Sequence, residues 1–117
     1  MFKIGELFCG AGGFAEGAKQ AGFKHIWGTD YHTDSCISFE RNQRCMGYCM
    51  DIKKFTNLKV LKNIKKEHGA INGLVFGFPC NDFSLVGESK GLLGKFGPLY
   101  KHGIVVLNRD DSPNWFI

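Results

Sequence analysis

The chain has 117 residues, 44% hydrophobic and 22% charged, with a formal net charge of +4 at pH 7. This balance excludes a disordered or low-complexity chain and fits one globular domain with a modest core. No apolar run approaches the ~20 residues of a membrane span, and no basic stretch followed by an apolar one opens the sequence, so a cytoplasmic protein is expected.

The pattern is strand, turn, helix, repeated. Residues 3–8, Lys-Ile-Gly-Glu-Leu-Phe, predict a strand that runs into a glycine-rich turn at 9–13. A helix over 14–21 follows, stopped by Gly22. Residues 25–28 read as a second strand, 33–42 as a helix starting near Thr33 or Asp34, and 47–49 as a short third strand ending at Asp51. Leu58, Leu61 and Ile64 recur at helical spacing between Asn57 and His68, with Lys59, Lys62, Lys65 and Lys66 on the solvated faces. The near-continuous apolar run 71–78 predicts a buried strand. A long Gly-rich polar stretch, 79–98, reads as a functional loop. A helix over 99–107 and the beginning of another strand at 115–117 complete the series. Alternating β and α units imply a parallel sheet with helices on both faces, and ligands in such folds bind beyond the carboxyl ends of the strands.

The five cysteines are an odd number, which argues against a disulfide framework. Cys45 and Cys49 lie four apart, but no second pair matches them, so no metal site is predicted. Four of the five are expected as buried, reduced thiols.

Three of the segments that follow strands hold groups suited to an adenosine. Gly10, Gly12 and Gly13 open a helix, where glycine permits a tight turn and close approach of a ligand. Their G-x-G-G spacing does not meet the dinucleotide fingerprint. Asp30, 20 residues after Gly10, can accept hydrogen bonds from both ribose hydroxyls. Asp51 can accept one from an adenine amino group. Each acid alone reads sooner as a helix cap or a surface charge. Together they describe an adenosine pocket without separating S-adenosylmethionine from a dinucleotide. Cys80 follows the buried strand directly after Pro79, where a thiolate can act as a nucleophile.

These residues carry a resemblance. Residues 6–14, Glu-Leu-Phe-Cys-Gly-Ala-Gly-Gly-Phe, are similar to the first motif of DNA cytosine-C5 methyltransferases. Gly77 to Ser84 resembles their Pro-Cys motif, and Lys90-Gly91 with 97–100, Gly-Pro-Leu-Tyr, the end of their mobile catalytic loop. Asp30-Tyr31 and Asp51-Ile52 fall where that family places its ribose and adenine contacts. The match runs in order over nearly the whole chain.

The resemblance implies an α/β, Rossmann-like S-adenosylmethionine-dependent methyltransferase fold with a truncated parallel sheet and flanking helices. Residues 1–117 would form the N-terminal part of the catalytic, cofactor-binding domain, without the target-recognition domain. Cys80 would add to C6 of a cytosine flipped out of double-stranded DNA, so that C5 takes the methyl group of S-adenosylmethionine. Phe8 would pack on the adenine and Tyr31 beside the ribose, which Asp30 would hold. Asp51 with Ile52 would hold the adenine. Gly10, Gly12, Gly13 and Gly77 would give close backbone contact, and Leu99 would complete the wall. Ser84, Lys90 and Lys95 are candidate phosphate contacts in a closing loop.

Two departures stand out. Many family members have Glu where this chain has Asp30, and Gln where it has Asn81. The family's next motif, which supplies a glutamate to the cytosine ring, does not occur in these residues. Little methylation by the isolated chain is therefore expected. The alternatives are one subunit of a split methyltransferase, with a second polypeptide supplying the missing motifs, and a non-catalytic remnant. A nucleotide-binding oxidoreductase half-domain is disfavoured by the glycine spacing.

Overall fold

A computed structural model describes residues 2–77, 99–109 and 113–117 of the chain. The elements run β1 (Lys3–Leu7), α1 (Gly13–Gln20), β2 (Lys24–Asp30), α2 (Thr33–Gln43), β3 (Met46–Cys49), α3 (Ile52–Phe55), α4 (Leu58–His68), β4 (Gly73–Phe76), α5 (Tyr100–Arg109) and β5 (Trp115–Phe116). The strands form one five-stranded sheet in the order β3-β2-β1-β4-β5, and every pairing is parallel.

The sequence expectations meet this closely, with instructive differences. The second strand is longer than the apolar run 25–28 suggests. It includes Lys24, whose N–H donates to the Phe2 carbonyl, and extends to Asp30 through pairing with β3. The strand expected over 71–78 is confined to Gly73–Phe76, because Ile71 is buried in the core ahead of the ladder and Gly77 lies beyond it. Residue 78 and the loop expected over 79–98 lie outside the described residues. The short helix α3 was not anticipated. It forms because Asp51 Oδ1 accepts from the Lys53 N–H at 2.8 Å, an N-cap that starts a turn directly after the strand. The start of α2 is capped by His32, whose ring faces the Ser35 N–H, rather than by Thr33 or Asp34. Burial of four thiols out of five is also corrected. Cys9 and Cys36 are buried, but Cys45 is half-buried and Cys49 exposed.

Two apolar layers sandwich the sheet. Leu7, Trp27 and Leu74 pack with Ile52, Phe55, Leu61, Ile64, Ile71 and Val106 on the face covered by α3, α4 and α5. Leu58 remains exposed at the first turn of α4. On the opposite face Cys9 packs with Ala15 of α1 and Phe39 of α2. This division follows from topology. The β1-to-β2 and β2-to-β3 connections step one way across the sheet and the β3-to-β4 connection steps back, so right-handed crossovers place their helices on opposite faces. Polar ties fix the α3/α4/α5 layer: the Arg109 guanidinium donates to the Thr56 carbonyl, and Tyr48 Oη shares a hydrogen bond with His68 Nε2 at 2.6 Å.

Candidate cofactor site

The strand order reverses between β1 and β4, whose chains leave toward opposite edges of the sheet. A crevice opens beyond the carboxyl ends of strands at such a point, and ligands bind there. The register fixes what lies around it. Leu7 pairs with Thr29 on one side and with Phe76 on the other, and Asp30 pairs with Cys49. Gly77, Phe8, Asp30 and the segment toward Asp51 therefore leave the sheet side by side, about 4.8 Å apart from strand to strand.

The turn after β1 is built from left-handed backbone. Phe8 has φ 56°, Gly10 57° and Gly12 100°. Phe8 is a bulky residue in a conformation that costs it roughly 1–2 kcal/mol, and such strain gathers where backbone is held for a purpose. Its half-buried side chain packs on the α3/α4/α5 core. The Cys9 N–H donates to the Thr29 carbonyl at 3.0 Å, fastening the turn to β2.

The three glycines are there for different reasons. Among the described residues, no atom beyond the local backbone and chain neighbours lies within 4 Å of where a Cβ would stand on Gly10 or Gly13, and the same holds for Gly77. Packing among the described residues therefore does not require these positions to be glycine. Gly10 needs its positive φ as well. At Gly12 a Cβ would lie 3.3 Å from the Phe39 ring and 3.4 Å from the Gln43 side chain, so this glycine also serves the packing of α1 against α2.

Asp30 joins the turn to the second strand end. Its Oδ2 accepts from the Gly10 N–H at 2.9 Å, and its Oδ1 from the His32 N–H at 3.0 Å. One carboxylate thus clasps the glycine turn and the approach to α2. A carboxylate offers about four lone-pair positions, so both oxygens retain capacity toward a diol. Asp51 is exposed and caps α3. The cap and ligand readings of these acids are compatible, because capping uses one acceptor position of each oxygen involved.

The other expected residues divide. Tyr31 is 72% exposed, directly beyond Asp30, and free to lie against a ligand. Ile52, next to Asp51 in the chain, is buried in the core. Leu99 is half-buried and packs on the same core. Cys80, Ser84, Lys90 and Lys95 lie outside the described residues.

Cys9, within the turn, is buried beneath it. Burial, with the charges of Glu6 and Asp30, pushes its thiol far above the ordinary range, and its Sγ donates to the Gly10 carbonyl at 3.5 Å. Burial likewise pushes the thiols of Cys36 and Cys45 up to about 11. Among the described residues no group of three or more His, Cys, Asp or Glu is placed to hold a metal ion. No described helix is long and apolar enough to cross a membrane.

Sequence reasoning missed Glu6 and His25, a buried polar pair on β1 and β2 behind the glycine turn. Their i and i+19 separation carries no motif, and only strand pairing brings them together.

Comparison with known proteins agrees with this architecture. Residues 2–117 match the model of the C-5 cytosine-specific DNA methylase family. The chain is 38% identical to Type II methyltransferase M.BbvI of Brevibacillus brevis, over 92% of this chain and 32% of that protein. It is 32% identical to Type II methyltransferase M.NgoFVII of Neisseria gonorrhoeae, over 91% of this chain and 27% of that protein. The chain thus spans about a third of the length of these relatives. A crystal structure of a DNA modification methyltransferase encoded within an E. coli prophage superimposes with a TM-score of 0.77 at 24% identity, over 99% of this chain and 31% of that one. Spodoptera frugiperda DNMT2 superimposes with a TM-score of 0.67 at 20% identity, over 99% and 34%. These two likenesses are of fold, Rossmann-like with a parallel sheet. With its family motifs in order along the chain and a sheet that brings their strand ends together, this protein belongs to the C-5 cytosine-specific DNA methylase family.

Proposed function

We propose that this chain is the cofactor-binding and nucleophile-bearing part of a DNA cytosine-C5 methyltransferase acting on double-stranded bacterial DNA in the cytoplasm. The observation that carries the reading is the clasp between the Gly10 N–H and Asp30 Oδ2, 2.9 Å, at the head of a crevice where no described side chain crowds Gly10, Gly13 or Gly77. S-adenosylmethionine, when bound, supplies an electrophilic methyl group. Asp30 would accept from the ribose hydroxyls, Asp51 from the adenine amino group, and Phe8 and Tyr31 would flank the rings. The glycines let the backbone approach without a side chain intervening.

Cys80, three residues beyond Gly77 in the chain, is the nucleophile in this reading. Its thiolate would add to C6 of a flipped cytosine and leave C5 able to take the methyl group. Ser84, Lys90 and Lys95 would contact the DNA backbone. The acid that assists the cytosine ring would come from a segment outside these 117 residues, on this or a second polypeptide.

Calorimetric titration with S-adenosylhomocysteine tests the reading. The wild-type chain is expected to bind it and not NAD. Asp30→Asn places an amide N–H₂ against the N–H donors of Gly10 or His32 and removes the charge, so affinity should fall about tenfold or more. Asp30→Glu retains the carboxylate and should bind within a few-fold of wild type. Binding of NAD in place of S-adenosylhomocysteine, or an Asp30→Asn variant that binds as wild type, overturns the assignment.

A further inference from the structure

Two thiols lie against the backbone that carries Asp30. Cys36, buried in α2, donates through Sγ to the Asp30 carbonyl at 3.4 Å. Cys49, exposed at the end of β3, donates through Sγ to the Tyr31 carbonyl at 3.6 Å. The acceptors are consecutive, so the two sulfurs converge on one stretch of chain. Gly47 explains how they can meet. It stands two residues before Cys49, on the same face of β3. A Cβ there would lie 2.9 Å from the Cys36 carbonyl oxygen, so α2 rests directly on the strand. Burial and the neighbouring Cys49 both push the Cys36 thiol up, to about 11. Thr33 Oγ1, 3.5 Å from Cys49 Sγ, closes the exposed side.

We propose that Cys36 and Cys49 form a redox-active dithiol against the backbone of Asp30 and Tyr31, outside the binding surface itself, and that its closure to a disulfide by a low-molecular-weight disulfide weakens cofactor binding. The second half rests on the cofactor reading above. The exposed Cys49 thiolate attacks one sulfur of the oxidant R–S–S–R, forming Cys49–S–S–R and expelling RS⁻. Cys36 then loses its proton, and its thiolate attacks Cys49 Sγ, forming the intramolecular bond and expelling the second RS⁻. The two protons given up by the protein thiols leave with the two RS⁻ as RSH, and two electrons pass from the protein to the oxidant. Burial of Cys36 makes its deprotonation the slower step, so closure should accelerate with rising pH. Oxidation removes both S–H donors from the carbonyls of Asp30 and Tyr31. It also draws α2 and β3 to an S–S distance of about 2.05 Å beneath the residue that clasps the glycine turn.

The test treats the full chain with oxidised glutathione and maps the cysteine peptides by mass spectrometry. S-adenosylhomocysteine affinity is then measured before oxidation, after it, and after dithiothreitol. A Cys36–Cys49 cross-linked peptide pair is expected, with affinity lowered about fivefold or more and restored by the reductant. Cys49→Ser keeps a hydroxyl donor at the exposed position and should bind the ligand normally but be indifferent to oxidant. Cys45→Ser should respond like wild type. Absence of the cross-link, or its preferential formation through another cysteine, overturns the dithiol. A cross-linked protein that binds like the reduced one overturns the coupling. Failure of the reduced wild type to bind S-adenosylhomocysteine instead fells the cofactor reading and the coupling with it, while the cross-link is judged separately from the peptide map.

Discussion

Glu6 and His25 sit back to back between the central strands, with side chains 5% and 2% exposed, and His25 Nε2 donates to Glu6 Oε1 at 2.8 Å. Burial raises the Glu6 pKa above its ordinary 4.5, against the opposing pull of His25. A carboxyl whose folded pKa is raised adds stability that is fully present below the unfolded value and lost as pH rises through the folded one. Stability measured by urea unfolding should therefore decline above about pH 4.5 in a way that Glu6→Gln abolishes. Glu6→Ala should cost about 3 kcal/mol, because it strands a buried imidazole whose Nδ1 already lacks a partner among the described residues. If Glu6→Ala is as stable as Glu6→Gln at pH 7, the pair is not holding the strands.

Several elements fit together by pairing a glycine with an aromatic ring. Gly5 and Gly73 each receive the indole of their register partner, Trp27 and Trp115, and Gly28 receives the Phe39 ring, 2.6 Å from where its Cβ would stand. Gly28→Ala should lower stability by about 1–3 kcal/mol through overpacking. Gly47→Ala should lie at the upper end of that range, because the obstructing atom is backbone. Gly13→Ala behaves differently. It meets no crowding atom of the described residues at the first position of α1, so thermal stability should be unchanged or slightly raised by helix propensity, while S-adenosylhomocysteine affinity falls. Loss of stability without loss of affinity would assign Gly13 to packing. The sequence already marked the glycine turn and both acids, since turn chemistry and strand-end carboxylates are local. It could not show that Gly12 differs from Gly10 and Gly13, because that depends on α2 arriving over the turn.

The sheet is buried at its centre, and among the described residues its β5 edge is apolar and exposed. β5 contributes two paired residues, and Phe116 and Ile117 remain 60% and 65% exposed, with the Phe116 ring stacked on Phe76. An apolar edge of this kind seeks a further strand or another molecule. Phe116→Lys should reduce concentration-dependent self-association in sedimentation experiments without altering the fold. Unchanged association would place the sticky surface elsewhere, Phe2, Ile37 and Ile104 being further exposed candidates.

By itself the sequence determined the succession of strands and helices, the glycine turn, the acids Asp30 and Asp51 and the position of Cys80, because apolar periodicity, turn residues and ordered motifs act over a few residues. Only the tertiary structure decided which strand ends are neighbours. The order β3-β2-β1-β4-β5 places Gly77 beside Phe8 across the reversal point. It also joins Asp30 to Gly10 over 20 residues, pairs Glu6 with His25, and brings Cys36 against Cys49. Such pairings depend on parallel register and helix docking, which link residues far apart in the chain and leave no periodic trace in it.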